Sequence, residues 1–471
     1  MAGPRIHLNG IDALSGRPDV PALSCGDLAS RLAAAQEGGE DRWLDHAARG
    51  LSRPHLGLPF GTDPGDPAQA GWAVVVPRGE AAAVLDALGP LLSWREARVP
   101  RDRFKILELS AEESAREWLA RHGVSAGTVD PERVPYYLLL AGPPSRVSFE
   151  LQFLLAVEHA VGRLCFETPS GYRRYAESLV EYERRRVAAG QRRAVFFSSR
   201  HPGDPATRMT SRLLAAPLAG SGDTGPRLAE MHGFGSAWLD GAAASKANLT
   251  ELLGGPRAPA LLFAATHGLS WPAGHCRQEE LQGALLCQDW PGRGPPLAEH
   301  YLAGGDLDPG ATVHGLVAFF FACFGAGTPE HDAFPRGLGE PPGRLAPAPF
   351  VADLPRRLLA HPRGGALGVI GHVERAWGFS FLDAVAGPQV QPFTTALRAI
   401  LAGVPLGHAL LSLRQRFAAL SSFLVERLEQ VRFGRQVPAD ELVGLWLERN
   451  DARNYLLLGD PAARLRVEAL R

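Results

Sequence analysis

Two side chains in this sequence stand where they can do covalent chemistry together. The run ALLFAATHG closes an apolar stretch on His267 and Gly268, and LVAFFFACFGAG closes another on Cys323. Apolar runs of this length read as buried strands, and in an open parallel sheet the loops leaving the carboxyl ends of neighbouring strands converge on one cleft. Neighbouring strands would set His267 and Cys323 face to face. A thiol with an ordinary pKa of about 8.5 is mostly protonated at neutral pH, so an imidazole must take its proton as the sulfur attacks a carbonyl. Cys323 is the candidate nucleophile and His267 the candidate base. The backbone N–H groups of Gly268 and Cys323 are candidate donors to the oxyanion of a tetrahedral intermediate, and the bare backbone at Gly268 lets a substrate chain come close.

Other residues compete for these roles. A lone cysteine at the end of an apolar run is more often a small buried hydrophobe, so the joint pattern carries the weight: His-Gly after one run and Ala-Cys-x-Gly after the next. His314-Gly315 repeats the first pair but begins its run, which puts it at the opposite sheet edge from Cys323. His372 follows a further apolar run and suits a pocket wall. Cys276 and Cys287, with His275, match no zinc spacing, so neither a metal nor another cofactor is expected. The stretch Gly325 to Thr328 lacks the lysine of a phosphate loop, and Gly459-Asp460-Pro461 reads as a turn.

Whatever holds these residues must be a folded scaffold. With 471 residues, 45% hydrophobic and 21% charged, the chain has room for two or three domains with a substantial core. Lys plus Arg number 49 against 50 for Asp plus Glu, so the net charge of -1 gives no field to steer a polyanion, and nucleic acid is not an expected partner. Five cysteines without CxxC spacing point away from a disulfide framework and towards a reducing compartment. No signal-peptide pattern opens the chain and no apolar run approaches the roughly 18 residues of a bilayer span, so the expectation is a cytoplasmic protein with no membrane partner.

Along the chain, residues 1–64 form a Gly/Pro-rich extension with one helical candidate, Leu28 to Ala35. Residues 65–190 alternate strand-like runs (Trp72 to Val76, Phe104 to Leu109, Tyr136 to Leu140) with helical ones, the rhythm of a smaller α/β subdomain. Ser148 to Arg163 is amphipathic, and Tyr172 to Ala189 is a charged helix leading to a boundary near 190. Residues 191–471 carry longer apolar strands (Ala194 to Ser198, Ala258 to Thr266, Gly315 to Ala322, Ala366 to Ile370), a helical tract from Pro392 to Arg432 and a last strand, Tyr455 to Leu458.

Four pieces in this order resemble the caspase-like cysteine peptidases, the group that holds caspases, metacaspases, gingipains and bacterial CHAT peptidases. They are ATHG at 265–268, FACFGAG at 321–327, GALGVIGHVERAWGFSF at 365–381 and NYLLLGDPAARL at 454–465. Caspases place the histidine about fifty residues before the cysteine, close to the separation here. Phe321-Ala322-Cys323 replaces the caspase Gln-Ala-Cys and lacks the metacaspase Asp, so the gingipain and CHAT branches are nearer and aspartate specificity is not implied. The resemblance implies a caspase-like α/β fold, with a mostly parallel central sheet flanked by helices and preceded by a smaller α/β subdomain that would be a catalytically silent caspase-like unit. It implies a bacterial cysteine endopeptidase acting on protein substrates in a defence or signalling cascade, with an upstream activating protease or signalling partner.

For the substrate pocket, Asp332 and Glu374 supply carboxylates and Trp377 an aromatic wall. With Glu330 they outnumber the one guanidinium, Arg375, so cleavage after a basic residue is expected. Thr328 to Pro349 reads as an exposed loop open to activating cleavage, after Arg336 or Arg344 on a basic preference and after Asp332 on an acidic one. The alternative is a catalytically silent caspase-like scaffold that binds protein partners through the same cleft; a third reading is a cysteine acyltransferase or amidase on another α/β fold.

Overall fold

Runs such as PALLFAA, VAFFF and YLLLA are apolar at every position, and a strand of that kind is stable only where both faces are covered. The computed structural model describes residues 5–6, 10–17, 23–24, 57–79, 81–186, 191–221, 227–333, 343–376, 378–383 and 387–470, and it places these runs inside a ten-stranded sheet. The strands are β1 (Trp72–Pro77), β2 (Phe104–Leu109), β3 (Tyr137–Ala141), β4 (Ala160–Leu164), β5 (Gln191–Ser198), β6 (Gly235–Asp240), β7 (Pro259–Ala265), β8 (Val317–Phe321), β9 (Gly368–His372) and β10 (Tyr455–Gly459). Their order across the sheet is β2-β1-β3-β4-β10-β9-β8-β7-β5-β6. Helices flank it: α1 (Ala82–Glu96) packs on α2 (Pro169–Arg184), while α3 (Gln391–Leu401), α4 (Leu411–Arg432) and α5 (Ala439–Arg453) pack with one another on the second half. The fold is therefore α/β with a mostly parallel central sheet, as the sequence pattern implies.

Every neighbouring pair is parallel except β9 with β10. Strand direction reverses at that one junction, so the carboxyl ends of β1 to β4 open on the sheet edge opposite to those of β5 to β9. The last strand is the seam. Leu458 of β10 is level with Arg163 of β4, and side chains from both sides of residue 190 share one apolar core.

The turn after β10 is drawn into that seam. Asp460 is buried; it accepts from Trp72 Nε1 at 3.0 Å and Arg95 Nε at 2.9 Å, and Arg95 also reaches Glu183 at 2.7 Å. Burial would lower the Arg95 guanidinium, but the charges of Asp460 and Glu183 outweigh it and hold the group above its ordinary value. Gly459-Asp460-Pro461 is a turn, as expected, and it also clamps β1, α1 and α2 to the end of the chain.

Three expectations are corrected. Ser148 to Arg163 is not one amphipathic segment: it divides into a helix, Phe149–Leu155, and then β4. Arg163 hides the strand from a hydrophobicity pattern, because it is buried with its guanidinium on Gln152 Oε1 at 2.7 Å and Val147 C=O at 2.6 Å. Second, β6 and α5 were not foreseen, β6 because an edge strand half open to solvent needs few large apolar residues. Third, the described ends of the Thr328 to Pro349 segment are a ribbon rather than an exposed loop: Gly327 and Thr328 pair with Val351 and Phe350, Asp332 N–H donates to Gly343 C=O at 2.7 Å, and Thr328, Asp332 and Ala346 are buried. Gly/Pro density forbids helix there but not short pairing. In the N-terminal extension, Gly10–Asp12 lies parallel to Gly268–Ser270; the helical candidate Leu28 to Ala35 falls outside the described residues. No described helix is long and apolar enough to cross a membrane.

Asp460→Ala strands the buried Arg95 charge with one partner fewer, and should cost about 3 kcal/mol or more of unfolding free energy in urea titrations at pH 7. A loss under about 1 kcal/mol would show that the clamp adds little to the seam.

Candidate active site

The register of β7 and β8 brings the two candidate residues together. Ala265 is level with Phe321, and Thr266 N–H donates to Phe321 C=O at 3.2 Å, so His267 and Cys323 both lie just past the carboxyl ends of two paired strands. A Cβ built on Gly268 would collide with the Cys323 carbonyl. The close approach that this glycine permits is thus to the backbone of Cys323, where the sequence suggested a substrate chain. His314 lies at the other end of β8, with Nε2 at 3.0 Å from Ser178 C=O, and is excluded from the cleft.

Just after Cys323 the chain turns sharply. Phe324 takes a left-handed backbone, φ 58°, and its N–H donates to the carbonyl of Glu374 at 2.6 Å; Glu374 is itself left-handed, φ 78°. A left-handed non-glycine residue costs about 1–2 kcal/mol, so two of them bonded to each other mark a turn that the surrounding packing imposes. Gly283 makes room for it, since a Cβ there would meet the Phe324 carbonyl. Cys323 and His267 are both buried. The Cys323 thiol accepts a hydrogen bond from Ala376 N–H at 3.3 Å.

His267 is oriented by a residue that the motif reading did not single out. Its Nε2 lies 2.6 Å from Asp204 Oδ2, which ties the imidazole to a carboxylate on that side. Asp204 is the N-cap of the helix Pro205–Thr210, accepting from Ala206 N–H at 3.0 Å and Thr207 Oγ1 at 2.6 Å. Burial would raise this carboxyl; the His267 charge, the His267 and Thr207 hydrogen bonds and the helix N–H outweigh it and hold the carboxyl below the usual range. His201 stacks on His267 with ring centroids 6.1 Å apart, and burial, with the neighbouring His267 charge, pushes it down to about 4. The signal for Asp204 was present in the sequence: an Asp-Pro after a strand, with Thr three residues on, is a helix start at a carboxyl edge.

The expected pocket residues fall into a buried charge cluster. Arg375 Nη1 is 3.0 Å from Asp332 Oδ1 and 3.6 Å from Glu374 Oε1, and all three side chains are buried. Glu330 faces solvent and pairs with Arg344 at 3.2 Å, so the rim holds two carboxylates around one guanidinium rather than three. Burial, then the Asp332 charge, raise the Glu374 carboxyl to about 8, with Arg375 and Arg453 opposing. His372 forms the wall behind, between Asp451 and the Glu374 carbonyl. Arg344 turns back onto Pro347 C=O at 2.6 Å. Arg336 and Trp377 lie outside the described residues. Cys287 is buried and Cys276 exposed, and among the described residues no three His, Cys, Asp or Glu side chains are grouped to hold a metal ion.

No protein-family model matches the chain, and no curated protein is significantly similar to it. Among solved structures it is similar to the Arg-specific cysteine proteinase gingipain R (RGPB), with 11% identity and a TM-score of 0.48 over 84% of this chain and 79% of that one. It is also similar to the complex of the Porphyromonas gingivalis RgpB pro- and mature domains (12%, TM-score 0.47, 84% and 80%). The Saccharomyces cerevisiae separase–securin complex matches at 12% identity and a TM-score of 0.28, over 69% of this chain and 16% of that one.

Asp204→Asn keeps the shape of the helix cap but weakens the hold on the imidazole, and should lower turnover on the order of a hundredfold while moving the acidic limb of the pH profile. An unchanged pH profile would reduce Asp204 to a helix cap. A second expectation concerns stability. Glu374 binds a proton in the folded state up to about pH 8 but in the unfolded chain only below the ordinary carboxylate range, so stability falls as pH rises between these limits. Glu374→Gln should flatten that slope in melting curves recorded from pH 5 to 8.5.

Proposed function

We propose that the chain is a caspase-like cysteine endopeptidase that cleaves protein substrates after a basic residue. The single observation that supports it best is that His267 and Cys323 follow directly on the carboxyl ends of the paired parallel strands β7 and β8, with Asp204 on His267 Nε2. In this reading Cys323 Sγ forms a bond to the scissile carbonyl carbon as its proton passes to His267. The backbone N–H groups of Gly268 and Cys323 receive the oxyanion. Collapse breaks the C–N bond, and the imidazolium returns the proton to the departing amine. Water then adds to the thioester with His267 as base, releasing the carboxylic acid and the thiol. Asp204 acts through His267 as a positioning residue.

The buried Asp332 carboxylate supports a basic preference, since a substrate guanidinium could pair there as Arg375 does. The half formed by residues 65–190 presents its strand ends at the far edge of the sheet, in keeping with a silent unit. A regulated role in a bacterial signalling or defence cascade, in the cytoplasm, belongs to the same proposal. One observation favours the scaffold reading: the thiol is buried and its edge is covered by Ala376.

Peptide cleavage by purified full-length chain decides between the two readings. Cys323→Ala should abolish it with little loss of fold, His267→Ala should lower it by about a thousandfold or more, and His314→Ala should leave it within about twofold. A peptidase unaffected by Cys323→Ala would overturn the assignment, and a folded wild type inert towards all basic peptides would favour the scaffold.

A further inference from the structure

Three residues that follow β9 lie across the nucleophile turn. Ala376 presents both of its backbone groups to the thiol: its N–H donates to Cys323 Sγ at 3.3 Å, and Sγ lies 3.8 Å from its carbonyl oxygen. One residue earlier, the Arg375 guanidinium is buried against Asp332 and Glu374, with Cζ 5.8 Å from the centre of the Phe324 ring. One residue earlier again, the carbonyl of left-handed Glu374 takes the N–H of left-handed Phe324. A basic side chain in a carboxylate site, with the next peptide group on the sulfur, is the arrangement a basic substrate would adopt at Cys323.

The difference lies in the direction of approach. A nucleophile reaches a carbonyl carbon from the face of the peptide, whereas a sulfur accepting an N–H lies in the peptide plane at its edge. The Arg375–Ala376 bond is thus held at the thiol without being open to attack. We infer that Glu374–Ala376 is a built-in competitor of the substrate: Arg375 fills the carboxylate site meant for a substrate guanidinium, Ala376 caps the thiol, and the peptidase is latent until this segment moves aside.

The inference rests on the reading of the chain as a peptidase with a basic preference, and its energetics are those of exchange. Expelling Arg375 alone would leave the buried Asp332 carboxylate without its guanidinium, which is costly, but a substrate guanidinium restores that pairing. Release of Glu374 and Phe324 from left-handed backbone contributes a further gain. A basic side chain can therefore displace the segment where a neutral or acidic one cannot.

The test is the rate at which iodoacetamide alkylates Cys323 in the full chain, followed by peptide mass mapping, with exposed Cys276 as internal reference. Arg375→Gln removes the occupant and should raise the Cys323 rate about tenfold or more relative to Cys276. If that variant does not melt cooperatively, the triple change Asp332→Asn, Glu374→Gln, Arg375→Gln removes every charge of the cluster and so leaves none buried and unpaired; the same rise is expected. A folded variant of either kind whose Cys323 reacts no faster than wild type overturns the competitor, whether or not peptides are cleaved. Faster alkylation without cleavage of any peptide supports the capping of the thiol and tells against the peptidase reading instead.

Discussion

Everything at the site depends on how closely two parallel strands can bring their ends together. Backbone pairing along β7 and β8 sets His267 and Cys323 at neighbouring strand ends, and the chains come close beyond the last ladder bond because Gly268 has no Cβ to strike the Cys323 carbonyl. The approach is set by main-chain hydrogen bonds and the absence of one carbon atom, so it needs no side-chain contact to maintain it. The flanking strands are apolar on both faces for the same reason: a central pair with this job cannot face solvent.

Around that contact, charge is arranged in layers. Asp204 engages Nε2 of His267 and is in turn held by a helix start, so the imidazole is fixed on that side. The Asp332–Arg375–Glu374 cluster, by contrast, is buried and almost neutral, because burial and the Asp332 charge keep a proton on Glu374 through most of the physiological range. The two systems meet at Cys323 through the backbone of residues 374–376. The sheet reversal at β10 keeps the first half of the chain away from this edge and binds it through the Asp460 clamp instead.

Much of this was legible in the sequence. Long apolar runs ending on His-Gly and on Cys give both the parallel strands and the residues at their carboxyl ends, since burial on both faces leaves a plain pattern. What stayed hidden depended on contacts between distant residues. Arg163 disguised β4 because its charge is satisfied by carbonyls of the preceding turn, and the antiparallel entry of β10 has no local signature. Counting acidic residues near the pocket misjudged it, because Glu330 turns to solvent while Asp332 and Glu374 share Arg375. Asp204 was missed for a different reason: its capping pattern was readable, but nothing local says that the capped helix points at His267.

The central claim, that Cys323 is a nucleophile activated by His267, is tested most directly by labelling the full chain with a peptidyl electrophile ending in arginine and mapping the modified cysteine. The account predicts one adduct, on buried Cys323, that His267→Ala suppresses and that exposed Cys276 does not acquire. Label confined to Cys276, or label on Cys323 that is indifferent to His267, would contradict it.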